Sequence, residues 1–238
     1  MRLAFLFAVM FSSSLVAADS AVVPPEGGTG IAAKYKGDAG LAGDPSVVFS
    51  EDYEETSIDE LKKRWDTVAA PERQMSFEND VPAGSAGKQS LLINSIGGLK
   101  TPFLYRRLMT DANGHDRLFV RFYVKFDGAC AGLHHGPMKV GGSISPQPWP
   151  MGGSGKAPDG TDHFTVTAES YGKAWRWDFY NYWCRMRGVP NGSFWGNDLV
   201  NDEDWKVTKD AWVCVEQMIK LNTVGDTDGE LAFWVDGQ

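Results

Sequence analysis

The residues best suited to chemistry lie between Trp175 and Arg187, where aromatic and guanidinium side chains crowd together. Period-two alternation sorts this stretch into two faces. Arg176, Asp178, Tyr180 and Tyr182 fall on one; Trp175, Trp177, Phe179, Asn181 and Trp183 fall on the other. An arginine grips a carboxylate through a planar fork, and a tyrosine can give or take a proton. Arg176, Tyr180 and Tyr182 are therefore catalytic candidates, and the tryptophan face reads as core. His134 and His135, in a Gly-rich loop, titrate near neutrality and join the catalytic set. Arg121, Tyr123, Lys125, Lys139, His163, Asn181 and Arg185 are candidates for binding a substrate. Aromatic faces beside arginines suit a carbohydrate ligand, and the arginines favour an acidic one.

These side chains need strands to position them. Leu118 to Phe126 alternates most clearly, with Leu118, Val120, Phe122, Val124 and Phe126 apolar and Arg121, Tyr123 and Lys125 on the other side. Whether that polar side lines a binding surface or faces water is open. Further strands are expected at Val47–Phe49, Ser90–Ser95, Phe103–Met109, His163–Glu169, Trp212–Asn222 and Glu230–Val235, with a long strand or bent pair over Trp175–Met186. One short helix is expected near 58–67. Ser57-Ile58-Asp59-Glu60 has the form of a capping box, and Ile58, Leu61 and Trp65 share a helical face. Strands, Gly-rich turns and so little helix predict an all-β sandwich. Asp236-Gly237 follows the last strand and is a strong hairpin signal. A returning strand is therefore expected after it, which makes residues 47–238 read as an incomplete domain.

At its start the chain has Met1-Arg2, an apolar stretch from Leu3 to Val16 and the small residues Ala17-Ala18, the pattern of a signal peptide over 1–18. An exported protein is expected, periplasmic or extracellular. Residues 19–46 are rich in Gly, Ala and Pro and read as an exposed leader. The formal net charge of −8 argues against nucleic acid or an anionic membrane as partner. Cys130, Cys184 and Cys214 are an odd set, so at least one is unpaired within the chain. No Cys/His spacing suggests zinc, and no cofactor is expected. Structural calcium is considered at Asp202-Glu203-Asp204 and Asp226–Asp228, against the plainer reading of solvated turns.

Several segments taken together carry a family resemblance. They are Phe119–Phe126, His134-His135, Lys139–Gly142, Trp212–Glu216, Lys220–Asn222 and Gly229–Gly237, with Val48-Phe49 and Asp52–Glu54 as an entry strand. The chain resembles secreted bacterial polysaccharide-lyase-like proteins of the concanavalin A-like jelly-roll superfamily. The resemblance implies a jelly roll of two curved antiparallel sheets with a groove for a polysaccharide. It also implies β-elimination on a uronate-containing glycan, with a carboxylate neutraliser, a base and an acid. The Arg-Ser/Thr-Glu, Gln-Ile/Val-His and Tyr-Phe-Lys-x-Gly-x-Tyr signatures of alginate lyases are absent, as is the Glu-x-Asp-x-x-Glu strand of β-glucanases. A non-catalytic carbohydrate-binding module and a structural or adhesion domain are the alternatives.

Overall fold

The computed structural model describes residues 23–69, 74–109, 114–133, 136–144, 155–196 and 198–238. Residues 1–18, where a signal peptide is expected, and His134-His135 lie outside the described residues. Ten strands occur in chain order: β1 Thr67–Ala69, β2 Met75–Glu78, β3 Ser90–Ile93, β4 Phe103–Tyr105 and β5 Arg117–Lys125. They continue with β6 Pro137–Ser143, β7 His163–Ser170, β8 Trp177–Phe179, β9 Trp212–Lys220 and β10 Glu230–Val235. All pairings among them are antiparallel, in four small sheets ordered β1-β4, β2-β3, β10-β9-β5 and β6-β7-β8. The protein is all-β.

The two three-stranded sheets pack through their apolar faces. Ala168 and Trp177 from one side meet Val213, Val215, Phe233 and Val235 from the other, with Phe122, Val124 and Phe179 packed around them. A hydrogen bond crosses the gap, from the Ala168 amide to Oε1 of Gln217 at 3.2 Å. Since side chains alternate along a strand, the polar faces of the two sheets point away from this core in opposite directions. Arg121, Tyr123 and Lys125 lie on one outside face; Lys139, His163, Tyr180 and Tyr182 lie on the other. They do not share one surface.

Local corrections have local causes. The expected helix is a single 3-10 stretch, Ile58–Lys63, and Ser57 makes no side-chain capping bond. Leu61 is buried there, while the Lys62–Asp59 and Lys63–Glu60 pairs hold the solvent side. Val47–Phe49 forms no strand. The long strand expected over Trp175–Met186 is regular only as β8, and Trp175 itself has a left-handed backbone with φ 48°. β1, β2 and β6 were not expected from the sequence. The Asp236-Gly237 turn has φ 49° and 77°, and Val235 and Gln238 exchange both backbone hydrogen bonds at 3.0 Å. Positive φ at both central residues is the two-residue hairpin geometry the dipeptide predicts. Among the described residues no helix is long and apolar enough to cross a membrane.

Candidate functional site

Strand register builds a polar lattice on the outer face of β6-β7-β8. Lys139 pairs with Thr167, and Tyr180 bonds the Thr167 carbonyl from the other side, giving one row of three. Gly141, Thr165 and Tyr182 form the row on one side of it, and Pro137, Glu169 and Asp178 the row on the other. Two strand spacings separate Lys139 from Tyr180, about 10 Å between backbones, within the reach of their long side chains. His163 continues the face beside Ser143, its Nδ1 2.7 Å from Oδ1 of Asp162.

The electrostatics of this lattice separate its members. Lys139 keeps solvent contact, yet desolvation lowers its ammonium below the ordinary lysine value, with Glu169 opposing the shift. The Tyr180 and Tyr182 hydroxyls are 3.0 Å apart, and Tyr182 donates to the Phe194 carbonyl at 3.4 Å. Burial first, then the bond to Tyr182, raises the Tyr180 phenol well above its ordinary value. At neutral pH it keeps its proton, so it is not a phenolate base. Lys139 and His163 border open space, while Thr165, Thr167 and Tyr182 are almost fully buried; that space is continuous at about 4030 Å³. It is several times the size of a small-molecule pocket, so its lining does not by itself mark a substrate.

The alternation expected over 175–183 is present, but both of its faces are covered. Trp177 is core as expected. Arg176, Asp178, Tyr180 and Tyr182 are also almost fully buried, because residues 183–196 and 198–206 fold back over them. Asp178 accepts four amides, from Phe179, Asp198, Leu199 and Val200. Arg176 donates to the Val200 carbonyl and to Asp198, lies 3.2 Å from Glu203, and sits 4.5 Å over the Tyr171 ring. Arg176 is therefore placed as a brace for the 198–206 loop, contrary to the expectation of an open carboxylate grip. Asn181 is likewise structural: its Oδ1 accepts the Thr167 amide at 3.2 Å. Arg185 is exposed at the edge of the region.

The opposite face is occupied by the chain's own N-terminal segment. Arg121 stands across from Glu216 in the β5–β9 register. All five of its guanidinium N–H groups are engaged: Nε and one from Nη2 on Glu216, the others on Gly27 and Ala32 carbonyls and Asp38. Thr29 adds a bond to Glu216, and the Tyr123 hydroxyl donates to Glu26 at 2.5 Å. Lys125 and Trp212 are both held by Asp80. Arg121 and Tyr123 are thus taken up by partners from the chain itself, whereas Lys125 faces water as an exposed pair with Asp80. No sequence signal marked the leader as the segment that would cover them.

Acidic clusters act mainly as caps. Asp202 accepts the Asp204 amide, and Asp228 accepts from Thr223 twice. Among the described residues, Glu51, Asp52 and Glu55 are the acidic group close enough to share a cation, and Arg64 already lies against all three. Cys130, Cys184 and Cys214 are all free thiols. Comparison with protein-family models, with curated proteins and with solved structures finds no match for this chain.

Proposed function

We propose that this chain is an exported, jelly-roll, polysaccharide-lyase-like enzyme that cleaves a uronate-containing glycan on the outer face of β6-β7-β8. The observation that carries this reading is the placement of Lys139 and Tyr180 on one sheet face, the Tyr180 hydroxyl beside that of Tyr182, with the proton affinities of Lys139 and Tyr180 shifted in opposite senses. A lysine whose pKa is lowered is more available as a base, and a tyrosine whose pKa is raised stays protonated, so it enters the reaction with a proton to give. In β-elimination the base removes the proton at C5 of the uronate. The electron pair becomes the C4–C5 double bond, the C4–O bond breaks, and the departing oxygen takes a proton from tyrosine. Lys139 fits the first role or the neutralisation of the carboxylate; Tyr180 or Tyr182 fits the last. A cationic group beside the carboxylate also stabilises the charge that develops there.

A specific observation favours a second reading, a non-catalytic carbohydrate-binding module. Tyr182 is 1% exposed and its hydroxyl is already bonded within the protein. A buried hydroxyl meets substrate only if the covering loop gives way. Incubation with a panel of polyuronates, followed by ultraviolet absorbance of the conjugated product, separates the two. The lyase reading expects product from the wild type and a loss of about 10²–10⁴-fold in Lys139→Ala and Tyr182→Phe. Binding without product on every polymer favours the module.

A further inference from the structure

The loop that covers the tyrosine pair has a second, outward side. Phe194 bridges antiparallel to both Gly155 and Gly188. The Val189 amide bonds to the Ser193 carbonyl at 2.8 Å, which fixes the register of the turn between them. That register sets Arg187 directly across from Trp195. Alternation then sends Phe194 inward, where it packs with Met186 against Tyr180 and Tyr182, and leaves Arg187 and Trp195 exposed; Arg185, in the turn that the Met186 amide closes on the Trp183 carbonyl, is exposed beside them. Directly opposed side chains on one face of an antiparallel pair are near enough to touch one ligand together.

Two further observations bear on the ligand. Trp195 is 45% exposed, and its ring passes over Gly155, where an added Cβ would lie 3.6 Å from ring carbon Cζ2. An exposed indole offers a flat apolar face on which a sugar ring can stack. The segment from Trp183 to Gly196 contains two arginines and no carboxylate, in a chain of net charge −8. Among the described residues no ion pair engages Arg185, Arg187 or the neighbouring Lys156. The carboxylates on the adjoining segment are committed elsewhere, Asp159 to Thr161 and Asp162 to His163.

We propose that Trp195, Arg187 and Arg185 form a subsite for a carboxylated sugar unit, one that stacks on the indole while its carboxylate is held by the guanidinium groups. This rests on the glycan reading above and deepens it. The subsite lies outside the tyrosine pair, so it holds a sugar of the polymer away from the bond that is cleaved. Stacking supplies the sugar contact and the arginine fork supplies the selection for acid.

Retardation in native gels cast with alginate, with polygalacturonate or with a neutral glucan measures this directly. The wild type is expected to be retarded by at least one polyuronate and not by the neutral glucan. Trp195→Ala and Arg187→Gln should each weaken that binding about tenfold, and Trp195→Phe should restore most of it. Circular dichroism confirms that these surface variants fold. Variants that bind as tightly as the wild type overturn the subsite, as does equal retention by the neutral glucan or no retention by either polyuronate. The lyase reading fails separately, through retention without any unsaturated product. Lys139→Ala, retained but inactive, supports both.

Discussion

The two outward faces of the packed sheets carry similar residue types and put them to different uses. On β5-β9, Arg121, Tyr123 and Glu216 are met by Glu26, Thr29 and Asp38 from the N-terminal segment, and every arginine donor is engaged. On β6-β7-β8, Lys139 keeps its contact with water, beside a row of hydroxyls and carboxyl groups. Residue type alone does not distinguish a lock from a site. What distinguishes them is whether the chain supplies the partners. A cation whose donors are all engaged by the chain itself has nothing left to offer a ligand, whereas a partly desolvated cation with a raised-pKa phenol nearby retains chemistry to perform.

Breaking the lock should produce the largest change in stability. Arg121→Ala leaves Glu216 buried without its cation and should cost about 3–5 kcal/mol, read by denaturant unfolding. The turnover of whatever fraction remains folded should be unchanged. A variant that unfolds normally but loses activity would reverse the roles assigned to the two faces. Gly27→Ala is the next test. A Cβ at this position would lie 2.0 Å from Oε2 of Glu216, a carboxylate whose other oxygen is fixed by Arg121 and Thr29. Displacing it should cost about 1–3 kcal/mol in the same measurement.

The lock should also sense pH. Burial, partly offset by Arg121, raises the Asp38 carboxyl above its ordinary value of 3.8. The folded state therefore holds this proton more tightly than the unfolded state. Its contribution is most favourable below the ordinary value and is lost as pH rises through the raised one. Asp38→Asn should remove that part of the stability–pH slope in unfolding measured from the ordinary carboxylate range upward; an unaltered slope would show the carboxyl is not perturbed. Smallest of all is Lys125→Ala. Lys125 pairs with Asp80 at a partly exposed position, so its loss should cost about 0–1 kcal/mol and diminish further in salt.

How much of this was legible depended on whether the cause was local. The apolar–polar alternation from Leu118 to Phe126 predicted β5 within a residue, and Glu230–Val235 matches β10 at both ends. Asp236-Gly237 predicted a turn that the positive φ values realise. β6 escaped because Gly141-Gly142 reads as loop. In the structure the Phe164 ring lies so close that a Cβ on Gly142 would meet it at 2.7 Å, so the glycine is there for a close approach within a strand. The division of faces around Tyr180 and Tyr182 was readable from period two. The cover that buries both was not, since it comes from residues 183–196 and 198–206 and depends on contacts such as Asp178 with the amides of 198–200. The same holds for Arg121, whose partners lie more than eighty residues away in the sequence.

The most direct test of the central claim is the rate of unsaturated-product formation from polyuronates by three proteins: wild type, Lys139→Ala, and Lys125→Ala as the matched change on the opposite face. The account predicts product from the wild type, an undiminished rate in Lys125→Ala, and a fall of about 10²–10⁴-fold in Lys139→Ala. Equal rates in wild type and Lys139→Ala, or a loss confined to Lys125→Ala, would contradict it.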